Sequence, residues 1–160
     1  MVRRNRARSS SLFLMELIIA ILFFSASSAV CVQFFVKSHL MSNDSNALNH
    51  AVNECAGAAE IIDTADCIED SVNMIKSMYP NGSYPKVQAD MKNADMEIYY
   101  NDAFEACISQ DASFTLTLHM ELKNQMVQAD MEMTSSGSGA EIYELSTKHH
   151  IARRTGYEKR

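Results

Sequence analysis

The sequence predicts an α+β protein in which one long N-terminal helix packs against a four-stranded antiparallel sheet. Three observations predict it. An apolar run from Leu12 to Val36 carries a single charge, Glu16. Apolar residues then keep a helical spacing to about Ile62, and beyond Pro85 the apolar period falls from about 3.6 residues to about 2.

Residues 1–11 read as a basic leader with Arg3, Arg4, Arg6 and Arg8. Residues 12–36 read as the membrane-spanning half of the helix, because at about 1.5 Å per residue they extend about 37 Å, against a hydrocarbon core of about 30 Å. The arginines before the run place the N-terminus in the cytoplasm and send the C-terminal remainder of the chain across the membrane. Residues 37–150 are then one exported head, and residues 151–160 a basic tail. From Leu12 to Thr147 there are 19 acidic and 5 basic residues, whereas Lys148 to Arg160 holds 5 bases and 1 acid. A solvated terminus accounts for such a tail; charge-driven contact with nucleic acid or with a neighbouring copy of the same head is the alternative. No direct nucleic-acid partner is expected, and membrane lipid is the first partner of the apolar run. Within that run a carboxylate at the helix centre costs roughly 2.5 to 3.5 kcal/mol on insertion scales, which makes Glu16 a functional candidate whose partner has to be found.

Past Val36 the residues Leu48, Val52, Cys55, Ala59 and Ile62 recur at alternating steps of four and three, an amphipathic continuation of the same helix. Asn43, Asp44, Asn46, Asn49, Asn53, Glu54 and Glu60 fall elsewhere, on its wet side. A break with capping residues Thr64 and Asp66 precedes a short helix through Ile68, Val72, Ile75 and Tyr79 that ends at Pro80. Tyr79 to Pro85 concentrates turn formers. The clearest strand is Ser113 to Lys123, alternating Phe114, Leu116, Leu118, Met120 and Leu122 with polar residues. A tight turn at Lys123 and Asn124 leads into Gln125 to Thr134, which makes a hairpin. Glu141 to His149 follows, and an earlier strand lies at Met96 to Asn101. The apolar face of this sheet and the stripe of the helix bury one another.

Cys31 lies in the apolar run, leaving Cys55, Cys67 and Cys107 in the head. Export permits a disulfide, with Cys67 and Cys107 the favoured pair because Cys55 falls on the buried stripe; free thiols packed as small hydrophobes are the alternative. No cysteine and histidine cluster has zinc spacing, and adjacent His149 and His150 point to opposite faces of a strand. His119 reads as an exposed strand histidine. No nucleophile and base motif and no phosphate loop is present, so no catalytic residue, metal or cofactor is expected. The eleven methionines read as adaptable core filler.

The segment Ser11-Leu12-Phe13-Leu14-Met15-Glu16-Leu17-Ile18-Ile19-Ala20 after a basic leader resembles the N-terminus of type IV pilins and of type II secretion pseudopilins. The resemblance implies a pilin-like fold and cleavage between Ser11 and Leu12 by a prepilin peptidase. It also implies N-methylation at Leu12 and subunit docking through Glu16, the fifth residue of the processed chain. The family's usual glycine before the cut is Ser11 here, and its usual phenylalanine after the cut is Leu12. Implied partners are other pilin or pseudopilin subunits through the N-terminal helix, an assembly platform membrane protein and an ATPase. The implied function is structural: a minor pilin or pseudopilin of a type IV pilus, type II secretion or competence-like filament. Such a subunit starts as a single-pass inner-membrane protein and is later drawn into a periplasmic or surface filament.

A second reading treats the leader and apolar run as an ordinary signal peptide cut after Ser27-Ser28-Ala29. The mature chain would then begin at Val30, as a secreted α+β binding domain. A related version keeps the run as a simple anchor. Against the signal peptide, apolar character continues through Val36, and a charge inside the run would be gratuitous.

Overall fold

A computed structural model describes the backbone of residues 6–150 and the side chains of residues 11–150. Arg3 and Arg4 of the leader, the side chains of Arg6 and Arg8, and the basic tail 151–160 lie outside the described residues.

Helix α1 runs from Arg6 to Thr64. It contains no proline, and Gly57 is its only glycine, so no backbone breaker interrupts it. The chain divides into two compact units at this helix, Met1–Ser45 and Asn46–Arg160. In the first unit every described side chain is exposed, from Ser11 onward. Phe23 and Phe24 are each 74% exposed and Phe35 is 79% exposed. A water-facing helix would not carry such side chains all round; lipid or other helices suit them. This apolar segment is long enough to cross a membrane.

The second unit holds the last turns of α1, helix α2 (Ile68–Met78) and a sheet of five strands in the order β2-β1-β3-β4-β5, all antiparallel neighbours. The strands are β1 (Asn93–Tyr100), β2 (Ala106–Cys107), β3 (Phe114–Lys123), β4 (Met126–Ser135) and β5 (Glu141–His150). Five strands replace the expected four. The additional one, β2, has only two residues, too few to show an alternating pattern. It arises because Asn101 turns the chain: its side-chain oxygen accepts from the Ala103 and Glu105 amides at 2.9 and 3.0 Å. A single 3-10 turn, Ser109–Asp111, leads from β2 to β3.

Alternation makes the core. Met96, Leu118, Met131 and Leu145 form one row across β1, β3, β4 and β5, and Ile98, Leu116, Met133 and Tyr143 form the next. Four methionines, at positions 96, 120, 131 and 133, are fully buried there. Against this face α1 presents Ala51, Cys55, Ala58 and Ile62, and α2 presents Ile68, Val72 and Ile75. The α1 stripe is therefore rotated from the one expected: Leu48 is 43% exposed and Val52 36%, while Ala51 and Ala58 point inward. Small side chains on α1 thus share the core with the long methionine and leucine side chains of the sheet, which fill the space between the layers.

The β3–β4 turn is two residues, Asn124 (φ 52°) and Gln125 (φ 67°), both left-handed as a hairpin turn matched to strand twist requires. Helix α2 starts after Cys67, which makes no side-chain cap. Thr64 hydroxyl instead donates back to the Ile61 carbonyl at 2.9 Å, closing α1. The expected capping by Thr64 is thus spent on the helix before it.

Candidate functional site

The Ser11–Leu12 peptide lies within α1, and Ser11, Leu12 and Glu16 are all exposed. Glu16 shares one face of the helix with Ile19, Ala20, Phe23, Phe24 and Ser27. Ala20 and Ser27 leave shallow places beside the phenylalanines, and small residues of this kind let helix backbones come close in an apolar medium. Among the described residues Glu16 has no ion-pair partner. Leu12 and Glu16 stand one turn apart, about 5 to 6 Å between side chains. The face can accept a cation at Glu16 and a second helix along the small residues.

The head contributes a polar knot that sequence reasoning missed. Glu54, assigned from its spacing to the wet side of α1, is half-buried. Its Oε2 accepts hydrogen bonds from the Tyr79 and Tyr100 hydroxyls, each at 2.8 Å. These three residues come from α1, the end of α2 and the end of β1, so one carboxylate joins all three elements. Burial first, then Glu54, pushes the Tyr79 phenol up to about 12, and the same causes push Tyr100 up further. The Tyr84 hydroxyl also donates to the Tyr79 carbonyl. A buried tyrosine hydroxyl needs an acceptor; a tyrosine ending the inward row of β1 was the available signal that an acidic helix residue had to turn inward.

Beside this knot three rings stack in sequence. His50 lies on Phe104 with centroids 4.2 Å apart, and Phe104 lies on Phe114 at 4.5 Å. Phe104 adopts φ 59°, a conformation that costs a bulky residue about 1 to 2 kcal/mol. Stacking on both faces helps hold it there.

Cys31, Cys55, Cys67 and Cys107 are free thiols in this structure. Burial and the neighbouring Glu69 and Asp70 carboxylates push the Cys67 thiol up to about 11, and burial with Asp111 raises Cys107 as well. Cys55 is buried in the core and pushed up to about 11, chiefly by burial.

On the wet face of the sheet His119 pairs with Asp95, and Ser146 donates to Asp130 at 2.6 Å. His149 lies 3.7 Å from Asp63. No group of three metal-ligating side chains occurs among the described residues. Comparison with known proteins finds no matching family model, no similar curated protein and no similar solved structure.

Proposed function

We propose that this chain is a structural subunit, of minor-pilin or pseudopilin type, which is held in the membrane by α1 and assembles through it into a filament. The observation that carries the reading is the exposed carboxylate Glu16, the one charge on a helix segment whose other side chains from Leu12 to Val36 are all uncharged. Cutting at Ser11–Leu12 would free an amine at Leu12. In an apolar assembly that amine needs a counter-charge, because a buried unpaired charge is strongly unfavourable. Glu16 of a neighbouring subunit meets the need and sets the register of each incoming subunit. The helix would meanwhile exchange lipid for other helices along the Ala20 and Ser27 face. Leu48 and Val52, left exposed by the rotation of the α1 stripe, support further lateral packing of the head's helix.

In this reading the protein performs no catalysis. Its partners are like subunits, a prepilin peptidase, a platform membrane protein and an ATPase, with the N-terminus cytoplasmic and the head outside. N-terminal sequencing of the mature protein tests it. A methylated Leu12 is expected; a start at Val30 would overturn it in favour of a secreted domain. Glu16→Ala should leave membrane insertion intact and abolish recovery in filaments. Undiminished assembly of that variant would remove the docking role.

A further inference from the structure

Among the described residues the sheet ends in two unlike edges. Edge strand β2 is two residues long, whereas β5 runs for ten, Glu141–His150, without proline. Residues of an antiparallel strand alternate between bonding to one neighbour and presenting the same backbone groups to the other side. The two-residue turn at Asn124 and Gln125 makes Lys123 and Met126 a hydrogen-bonded pair. Even-numbered residues of β4 therefore bond to β3 and odd-numbered ones to β5. At the other end Ser135, an odd residue, donates to the Ala140 carbonyl at 2.9 Å, as that count requires. Through the register Ala129↔Thr147 and Met131↔Leu145, β5 turns Tyr143, Leu145, Thr147 and His149 toward β4 with their backbone groups. Those of Glu144, Ser146, Lys148 and His150 aim outward.

We infer that this edge pairs antiparallel with the same edge of a second copy of the chain, centred on Ser146. In that register each Glu144 stands opposite Lys148 of the other copy, and the pair occurs twice by two-fold symmetry. On the opposite face Tyr143 meets His149 and Leu145 meets Thr147. A one-residue slip sets wet-face side chains against core-face ones, and a two-residue slip separates both charge pairs. About six backbone hydrogen bonds form across the edge, from Glu144, Ser146 and Lys148 of the two copies. Within one chain Glu144 lies directly opposite Glu132, a like-charge pair that is unfavourable on a sheet. The second copy places a lysine on its other side. The contact is isologous, the usual form of a homodimer, and uses only the head, so it stands apart from the assembly reading.

The test uses the full chain in detergent micelles, with Cys31, Cys67 and Cys107 changed to serine and Ser146→Cys introduced. The two new thiols fall on residues about 5.5 Å apart at Cα, and a short bis-thiol reagent should give at least ten-fold more covalent dimer than Thr117→Cys, a control on the same wet face of β3. Glu144→Lys should reduce the dimer by about ten-fold, and adding Lys148→Glu should restore it, because the two-fold pairs each position with the other. The chain without new thiols gives an independent reading: its mass in micelles should double with rising protein concentration, and Glu144→Lys should hold it at one copy. Cross-linking no greater than the Thr117→Cys control, failure of Lys148→Glu to rescue, or dimer that depends on residues 151–160 would each overturn the inference. Loss of filament assembly in Glu16→Ala, with this dimer retained, would separate the two readings.

Discussion

Replacing Glu54 with alanine removes the one acceptor shared by the Tyr79 and Tyr100 hydroxyls. Tyr100 is 1% exposed, and losing its charged acceptor leaves its hydroxyl only the neighbouring Tyr79 hydroxyl as a partner, at a cost of about 1 to 3 kcal/mol. Tyr79 is only half-buried and rehydrates, losing about 0.5 to 1.5 kcal/mol. The sum is about 1.5 to 4.5 kcal/mol. At about 4 °C per kcal/mol for a unit of this size, the head should melt about 6 to 18 °C lower. Glu54→Gln keeps an acceptor oxygen and loses the charge assistance, so it should cost about half as much. The assay is urea unfolding of the full chain in micelles, followed by circular dichroism of the sheet. A double-mutant cycle of Glu54→Gln with Tyr100→Phe should show coupling of about 1 kcal/mol or more. Additivity within about 0.5 kcal/mol would refute the idea that this carboxylate ties the three elements together.

Three further expectations concern the head. Because the folded state raises the Tyr79 phenol to about 12 and Tyr100 higher still, their stabilisation is complete below about pH 10, the ordinary phenol value, and is lost as pH rises through the folded values. Alkaline titration should show loss of sheet dichroism coinciding with a late tyrosinate phase; simultaneous ionisation of all tyrosines near pH 10 with the dichroism unchanged would count against it. Gln125→Gly should stabilise the hairpin by about 0.5 to 1 kcal/mol, since glycine takes the left-handed position without strain, and denaturant midpoints will show it. Gly82→Ala would place a Cβ 2.7 Å from the Glu97 carbonyl oxygen, beside the paired Ser83–Glu97 amides; a loss of about 1 to 3 kcal/mol is expected in the same measurement.

The parts of this fold legible in the sequence are those where one period persists. Phe114 to Lys123 alternates for ten residues, and β3 occupies that span. Ile68, Val72 and Ile75 likewise mark the buried face of α2. Two residues of β2 carry no period at all, and the sheet gained a strand there. On α1 the expected Cys55 and Ile62 are buried and Ala59 packs on the core, but the stripe turns at its N-terminal end. Leu48 and Val52 outrank Ala51 and Ala58 in hydrophobicity, yet the alanines are the ones buried, a choice that hydrophobic spacing alone does not make. Glu54 was misplaced because its partners lie 25 and 46 residues away, and helical spacing says nothing about a distant hydroxyl. Glu16 could be singled out from sequence because a lone charge among apolar residues is an energetic anomaly wherever the chain folds. Within the chain it has no ion-pair partner among the described residues, and the counter-charge proposed for it would come from a neighbouring subunit, which one chain's pattern does not contain.

The strict in-and-out alternation of β1, β3 and β4 has a consequence for how this protein can change over time. Ala94, Met96 and Ile98 are buried while Asp95 and Glu97 between them are exposed, so neighbouring codons answer to separate selective demands. The outward set of these strands, with Thr117 and Glu132, can be rewritten for a new environment without disturbing a single core contact. Drift should therefore run fast at one parity and slow at the other, and diverged descendants would keep the fold while losing recognisable identity along half of every strand.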